Sequence, residues 1–113
     1  MKKQIKFQDG KTYCLAKQIK VYQLLDNGFT KTKLGNFKYI MPFVNNENTP
    51  LKEIAQLHII INKDLTLFDM FITDPSGMHK INIFKLEQLH SIAALVLYNI
   101  RNLEEHQILK AIN

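Results

Sequence analysis

The sequence predicts a mainly-β, α+β protein, a small barrel or strongly curled sheet of short antiparallel strands that a C-terminal helix closes. Short strand-like runs recur along the first three quarters of the chain, and turn-forming residues separate them. In the last quarter the apolar residues lie three and four positions apart, which is the spacing of one helical face. A sheet curled under a helix hides the edges of many short strands.

The length and composition indicate one globular domain, residues 1–113. Hydrophobic residues make up 46% of the chain and charged residues 22%, as in a typical folded domain in water. No apolar run approaches the roughly 18 residues of a membrane-spanning helix, and no apolar segment follows the N-terminal lysines as in a signal peptide. The lone cysteine, Cys14, suits a reducing compartment. We therefore expect a cytoplasmic protein.

Residues 1–44 are predicted to form a basic β-meander of five short strands. The strand-like runs are residues 5–8, 12–15, 18–25, 29–34 and 37–44. Three dipeptides in this segment are typical of two-residue hairpin turns: Asp9-Gly10, Asn27-Gly28 and Gly35-Asn36. Pro42 lies in the last run and indicates an edge strand or a strand end there, because proline cannot donate to a sheet ladder.

The middle of the chain is predicted to hold a loop and then the central hairpins. Residues 45–55 are expected to be a loop with a short helical turn over 51–55, capped by Thr49 with Pro50 in its first position. Residues 56–84 are expected to form three strands. The run 65–73 is apolar on both alternating faces except at Asp69, which favours a strand covered on both sides. The turn that follows it, at 74–77, is expected to place Gly77 at positive φ.

Residues 85–113 are predicted to be a C-terminal helical segment. One helical face carries its apolar residues: Leu86, Leu89, Ile92, Ala93, Val96 and Ile100. Asn102 and Glu105 have the spacing of a capping box, which favours a restart of the helix. The chain is therefore expected to end in a second short helix around Ile108, Leu109 and Ile112.

No motif for catalysis, a cofactor or a metal is present. The four histidines, His58, His79, His90 and His106, have no metal-ligand spacing, and His79 is expected to be partly buried beside Ile81 and Ile83. We therefore expect no enzyme, no cofactor, no metal and no small-molecule substrate. Three interpretations of Asp69 stay open: a structural acid held by a hydrogen bond or an ion pair, an acid that points outward at the rim of a barrel, or an acid in a pocket.

The positive charge is concentrated at the start of the chain. Residues 1–44 carry nine lysines and two acids, whereas residues 45–113 carry six cations and eight acids. If the turns at 27–28 and 35–36 each have two residues, five side chains share one sheet face: Lys20, Tyr22, Lys31, Lys33 and Lys38. Such a face is either a surface that binds phosphates and bases or a solvated face that resists aggregation.

The size, the charge and the order of elements resemble the PrgU-like small proteins of enterococcal conjugative plasmids. The resemblance covers the whole chain and rests on the turns at 26–28, 35–36 and 74–77 and on the helix from Leu86. It implies a PUA-like barrel and an RNA-binding module that tempers the expression of surface adhesins.

The first functional hypothesis is thus a non-catalytic, RNA-binding regulator of gene expression. The alternative is a module for protein–protein interaction or homo-oligomerisation, a monomer or weak homodimer that binds through an apolar edge near Phe43 and Val44 or through the C-terminal helix. A third hypothesis is an enzyme with Asp69 in its pocket.

Overall fold

Two antiparallel sheets and a C-terminal helix share one apolar core in the computed structural model, which describes residues 1–45 and 52–112. The elements are β1 (Gln4–Lys6), β2 (Thr12–Leu15), α1 (Val21–Asp26), β3 (Thr30–Lys31), β4 (Phe37–Asn45), β5 (Lys52–Ile61), β6 (Phe68–Thr73), a 3₁₀ turn (Glu87–Leu89), α2 (His90–Glu105) and β7 (Leu109–Ala111). One sheet has the order β1-β2-β7 and the other β3-β4-β5-β6.

The mainly-β, α+β class is confirmed in this architecture. The described residues form two open sheets, however, and not the closed barrel that was expected. No helix in this described part of the chain is long and apolar enough to cross a membrane.

The four-stranded sheet has one core face and one outer face. Three cross-strand rows point to the core face, and all their side chains are buried there except that of Met41, which is partly buried. The rows are Phe37-Ile61-Phe68, Tyr39-Ile59-Met70 and Met41-Leu57-Ile72. The outer face carries the alternate residues, and among these His58 is buried while Ile40 is exposed. This sheet therefore presents a second surface that the core does not use.

Helix α2 covers the core face with the apolar stripe that the sequence predicts. Ile92, Ala93, Val96 and Ile100 are buried, and the helix packs against β4, β5 and β7. It therefore contacts both sheets. The predicted restart at Asn102 does not occur, since α2 continues to Glu105.

The predicted strand over 18–25 is wrong, because helix α1 lies there. The Gln23 side chain accepts a hydrogen bond from the Lys20 N–H at 2.9 Å and so caps the first turn. The Phe29 N–H donates to the Leu24 carbonyl at 3.0 Å, and Gly28 has φ +93°. These are the features of a Schellman helix end. The dipeptide Asn27-Gly28 thus ends a helix and does not form a hairpin turn.

The chain after α2 also differs from the prediction, because it forms strand β7 and not a second helix. Gln107 has φ +62°, and the Ile108 N–H donates to the Leu103 carbonyl at 3.0 Å. This is again a Schellman end, but with glutamine in the position that usually holds glycine. The reversal lets β7 pair with β2 in an antiparallel register, Leu109 opposite Leu15.

Two boundaries in the middle of the chain are corrected as well. Residues 52–55 begin β5 and are not a helical turn, while the predicted cap at Thr49 and Pro50 lies outside the described residues. The expected strand near 78–84 is reduced to a single bridge between Thr73 and Lys80. The positive φ expected of Gly77 is confirmed at +78°.

The packing of α2 gives the first test. Val96 is fully buried between the helix and the sheets, so we expect Val96→Ala to lower the free energy of unfolding by about 1–3 kcal/mol. Chemical denaturation of the variant and the wild type measures the change. An unchanged unfolding free energy would contradict the described packing.

Candidate functional site: a groove at the seam of the two sheets

The two sheets meet at a seam made by the main chain of Lys2 and Phe68. The Lys2 N–H donates to the Phe68 carbonyl and the Phe68 N–H donates to the Lys2 carbonyl, both at 2.9 Å. This pair of bonds connects the segment before β1 to the outer edge of β6. The chain then bends at Lys3 and leaves the edge of β6.

A groove of about 340 Å³ opens where the two chain segments separate. This volume lies at the small end of the usual range for ligand-binding cavities, roughly 300–1,000 Å³. Eight residues line the groove: Lys2, Gln4, Ile5, Lys6, Asp69, Met70, Phe71 and Lys80. They come from three separate parts of the chain, the N-terminus, β6 and the segment after the 74–77 turn.

The groove combines three ammonium groups with one carboxylate. Lys2, Lys6 and Lys80 are exposed, and Asp69 forms a long ion pair of 3.8 Å with the amino terminus of Met1. The Asp69 side chain stays 42% exposed, and exposed pairs of this kind stabilise a protein by little. Asp69 is therefore ion-paired, as one interpretation of the sequence expected, and it also lines a pocket.

The aromatic ring of Phe71 forms an apolar surface of the groove. The imidazole of His58 stacks on it with ring centroids 5.0 Å apart and an interplanar angle of 7°. The ammonium of Lys80 lies 4.9 Å from the centroid of the Phe71 ring, within the range of a cation–π interaction. His58 lies on β5, on one side of β6, and Lys80 lies on the other side. The two side chains therefore contact the Phe71 ring from opposite sides.

Hydrogen bonds fix His58 behind this ring. Its Nε2 lies 3.0 Å from Thr73 Oγ1 and 3.1 Å from Gln56 Oε1. The Thr73 hydroxyl donates its hydrogen to the Asp74 carbonyl at 2.9 Å, so it accepts from His58. Gln56 Oε1 is an amide oxygen and can only accept a hydrogen bond. Both bonds therefore require the proton of the neutral imidazole to sit on Nε2.

Burial lowers the pKa of His58, and the positive charge of Lys38 lowers it further. The neutral form is thus the one that the folded protein favours. A histidine whose pKa is lower in the folded than in the unfolded state stabilises the fold above the unfolded value near 6.5 and loses that contribution as the pH falls.

The predicted lysine surface does not form one face. Lys20 caps α1 and Tyr22 lies on that helix, 60% exposed. Lys31 pairs with Phe37 on the core side of the sheet, whereas Lys38 pairs with Thr30 on the outer side. The fifth residue, Lys33, lies in the turn between β3 and β4.

The lysines do not share one face because the register of the β3–β4 hairpin differs from the expected one. The Thr32 N–H donates to the Asn36 carbonyl at 2.8 Å, so the loop is longer than the expected two-residue turn at 35–36. The shared face expected for Lys33 and Lys38 is therefore wrong, because Lys38 pairs with Thr30. Whether these residues bind RNA stays a prediction.

The other candidate residues carry no comparable site. His79 is 75% exposed and paired with Asp74, so its expected partial burial is wrong. Cys14 lies in β2 and is half-buried. Phe43 is buried in the core and cannot form an apolar binding edge. Among the described residues, no group of three or more histidine, cysteine or acidic side chains could hold a metal ion.

The lowered pKa of His58 can be tested through the pH dependence of stability. We expect the melting temperature of the wild type to fall more steeply between about pH 7 and pH 5.5 than that of His58→Gln, because only the wild type carries the buried imidazole. Thermal unfolding at both pH values measures the difference, with His90→Gln, which removes an exposed histidine, as control. Equal pH dependence in all three proteins would contradict the lowered pKa.

Comparison with known proteins establishes the family. The family model DUF1831, described as "Putative amino acid metabolism", matches residues 1–110. A solved DUF1831 family protein from Lactobacillus plantarum, lp2179, is 28% identical, with a TM-score of 0.86 over 98% of this chain and 96% of that one. No curated protein matches the chain. The resemblance to PrgU-like plasmid proteins is therefore wrong: the chain belongs to the DUF1831 family.

Proposed function

We propose that the protein binds a small zwitterionic metabolite of the amino-acid class in the seam groove. The observation that carries this proposal is the convergence of three lysines and one aspartate in a groove that the Phe71 ring also lines. The lysines attract the carboxylate of the ligand, and Asp69 attracts its ammonium group. The Phe71 ring and the Ile5 side chain supply apolar surface to the groove.

The geometry of the groove supports a small ligand. Its volume of about 340 Å³ holds one metabolite and not a folded partner. The charged side chains are exposed at the rim, while His58 fixes the aromatic surface from behind. An apolar surface with charged side chains around it favours a ligand that is charged at one end and apolar at the other.

The description of the family supports the same class of ligand. DUF1831 is described as "Putative amino acid metabolism", and an amino acid carries both charges that the groove complements. We propose binding without catalysis in the cytoplasm. The Asp69 carboxylate then acts as a ligand for the ammonium group and not as a catalytic acid.

Titration calorimetry with the twenty L-amino acids tests the proposal. We expect at least one to bind the wild type at millimolar concentration or below. Lys80→Gln and Asp69→Asn should each weaken that binding about 5–10-fold, since each removes one charged hydrogen-bond partner of the ligand.

Lys17→Gln is the matched control, because it removes the same charge from a lysine outside the seam groove. It should bind the ligand as tightly as the wild type does. Absence of binding by all twenty amino acids, or equal losses in the control and in Lys80→Gln, would refute the proposed function.

RNA binding is a second candidate, favoured by a cluster of lysines at one end of the four-stranded sheet. The Asn36 side chain accepts a hydrogen bond from the Lys63 N–H at 3.1 Å, which ties the 32–36 turn to the 62–67 turn. Lys31, Lys33 and Lys63 thereby lie at the same end of the sheet and are exposed. We define these three residues as the basic tip.

Salt dependence tests this second candidate. If the basic tip engages three phosphates of single-stranded RNA, the slope of log K against log salt is roughly −2, because each contact contributes about −0.7. Lys31→Glu combined with Lys33→Glu should flatten the slope in fluorescence anisotropy titrations. Lys85→Glu, a charge reversal outside the tip, is the control. Unchanged binding by the double variant would contradict this role.

A further inference from the structure

We propose that the main-chain N–H and C=O groups of Met70 bind the α-carboxylate and the α-ammonium of the ligand, so that one free amino acid completes the edge of β6. This inference rests on the proposed function and names how the same groove recognises its ligand. It follows from the direction of the β6 hydrogen-bonding groups.

Alternate residues of a strand point their main-chain groups to the same side. The N–H and C=O of Phe68 point to the outer edge of β6, because both bond to Lys2. The carbonyl of Ile72 points the same way, because it accepts from the Ile81 N–H at 3.0 Å. Met70 lies between these two residues in a regular register opposite Ile59. Its N–H and C=O therefore also point to the outer edge.

Met70 lines the groove through its main chain. Its side chain lies on the core face, and the whole residue is only 5% exposed. Its contribution to the lining of the groove thus comes from the edge of the strand. Among the described residues, no hydrogen bond to the Met70 N–H or C=O occurs at this edge.

The unbonded part of the β6 edge, the gap at Met70, is one residue long. Lys2 occupies the edge at Phe68, and Ile81 occupies it at Ile72. A longer peptide that paired with β6 would have to displace one of these neighbours. A free amino acid needs no such displacement, because its two charged groups replace the N–H and C=O of a single strand residue.

The charges around the gap favour a free amino acid over a neutral analogue. The Met70 N–H donates to the ligand carboxylate, which lies near the groove lysines, and the Met70 C=O accepts from the ligand ammonium, which Asp69 also attracts. Hydrogen bonds to charged groups are stronger than those between neutral groups. An L-amino acid held by these two bonds lies opposite Met70 as a strand residue does, so its side chain lies on the sheet face of Met70 and Ile59. A D-amino acid would place its side chain on the face of Phe71, so the site distinguishes the enantiomers.

Amide hydrogen exchange in the free protein tests the geometry. We expect the Met70 N–H to exchange much faster than the Phe68 N–H, although both residues lie in β6, since only the Phe68 N–H has a bonding partner at this edge. Equal protection of the two amides in the absence of ligand would overturn the inference directly.

A second experiment measures ligand binding, with the tightest binder of the twenty L-amino acids as probe. We expect it to slow the exchange of the Met70 amide, and we expect its D-enantiomer, its N-acetyl derivative and its carboxamide each to bind at least about tenfold more weakly. Lys17→Gln, which changes a lysine outside the groove, is the matched control. It should bind the probe as the wild type does.

The outcomes separate the two claims. If an amino acid binds but leaves Met70 exchange unchanged, or if the derivatives bind equally well, the role of Met70 is overturned while the proposed function stands. If no amino acid binds, the proposed function fails, and this inference fails with it.

Discussion

The candidate site depends on the pair of hydrogen bonds that joins Lys2 to Phe68. These bonds hold the N-terminal segment against β6, and the groove exists because the chain leaves that edge directly afterwards. Each such bond contributes only about 1 kcal/mol net. Ile5, which packs against the core, adds an apolar contact on the same segment. The groove is therefore built at a junction where two main-chain hydrogen bonds and the packing of Ile5 join the two sheets.

The outer face of the four-stranded sheet supports the groove from the other side. His58 is buried there although α2 covers only the opposite face, and its two hydrogen bonds at Nε2 connect it to Gln56 and Thr73. The Gln56 side chain also donates to the Pro75 carbonyl at 3.1 Å, which ties the 74–77 turn to the sheet. Gly77 lies beside Gln56 in a conformation that favours glycine. The turn, the histidine and the Phe71 ring thus form one connected unit.

Local sequence patterns predict an element correctly where the pattern is typical of one structure only. They fail where the same residues are typical of two different structures. The apolar stripe of α2 and the positive φ of Gly77 follow from spacing and turn chemistry. Asn27-Gly28, however, suits both a hairpin turn and a helix end. The turn before β7 has glutamine at positive φ, so no glycine marks it.

The candidate site could not be predicted for a related reason. Its bonds join residues far apart in the chain, as do those of Gln8, whose side chain donates to the Ile81 carbonyl at 2.6 Å and accepts from the Ile83 N–H at 3.1 Å. These bonds hold residues 81–83 in place of the strand that was expected. Alternating hydrophobicity places Asp69 and Phe71 on one face of β6, but it says nothing about which distant lysines approach them.

The most direct test of the account is a map of backbone amide chemical shifts during titration with L-amino acids. If the seam groove is the binding site, the largest changes occur in residues 2–6, 69–71 and 80, and the 30–38 hairpin stays unchanged. Changes confined to that hairpin, or no changes at all at millimolar ligand, would contradict the account.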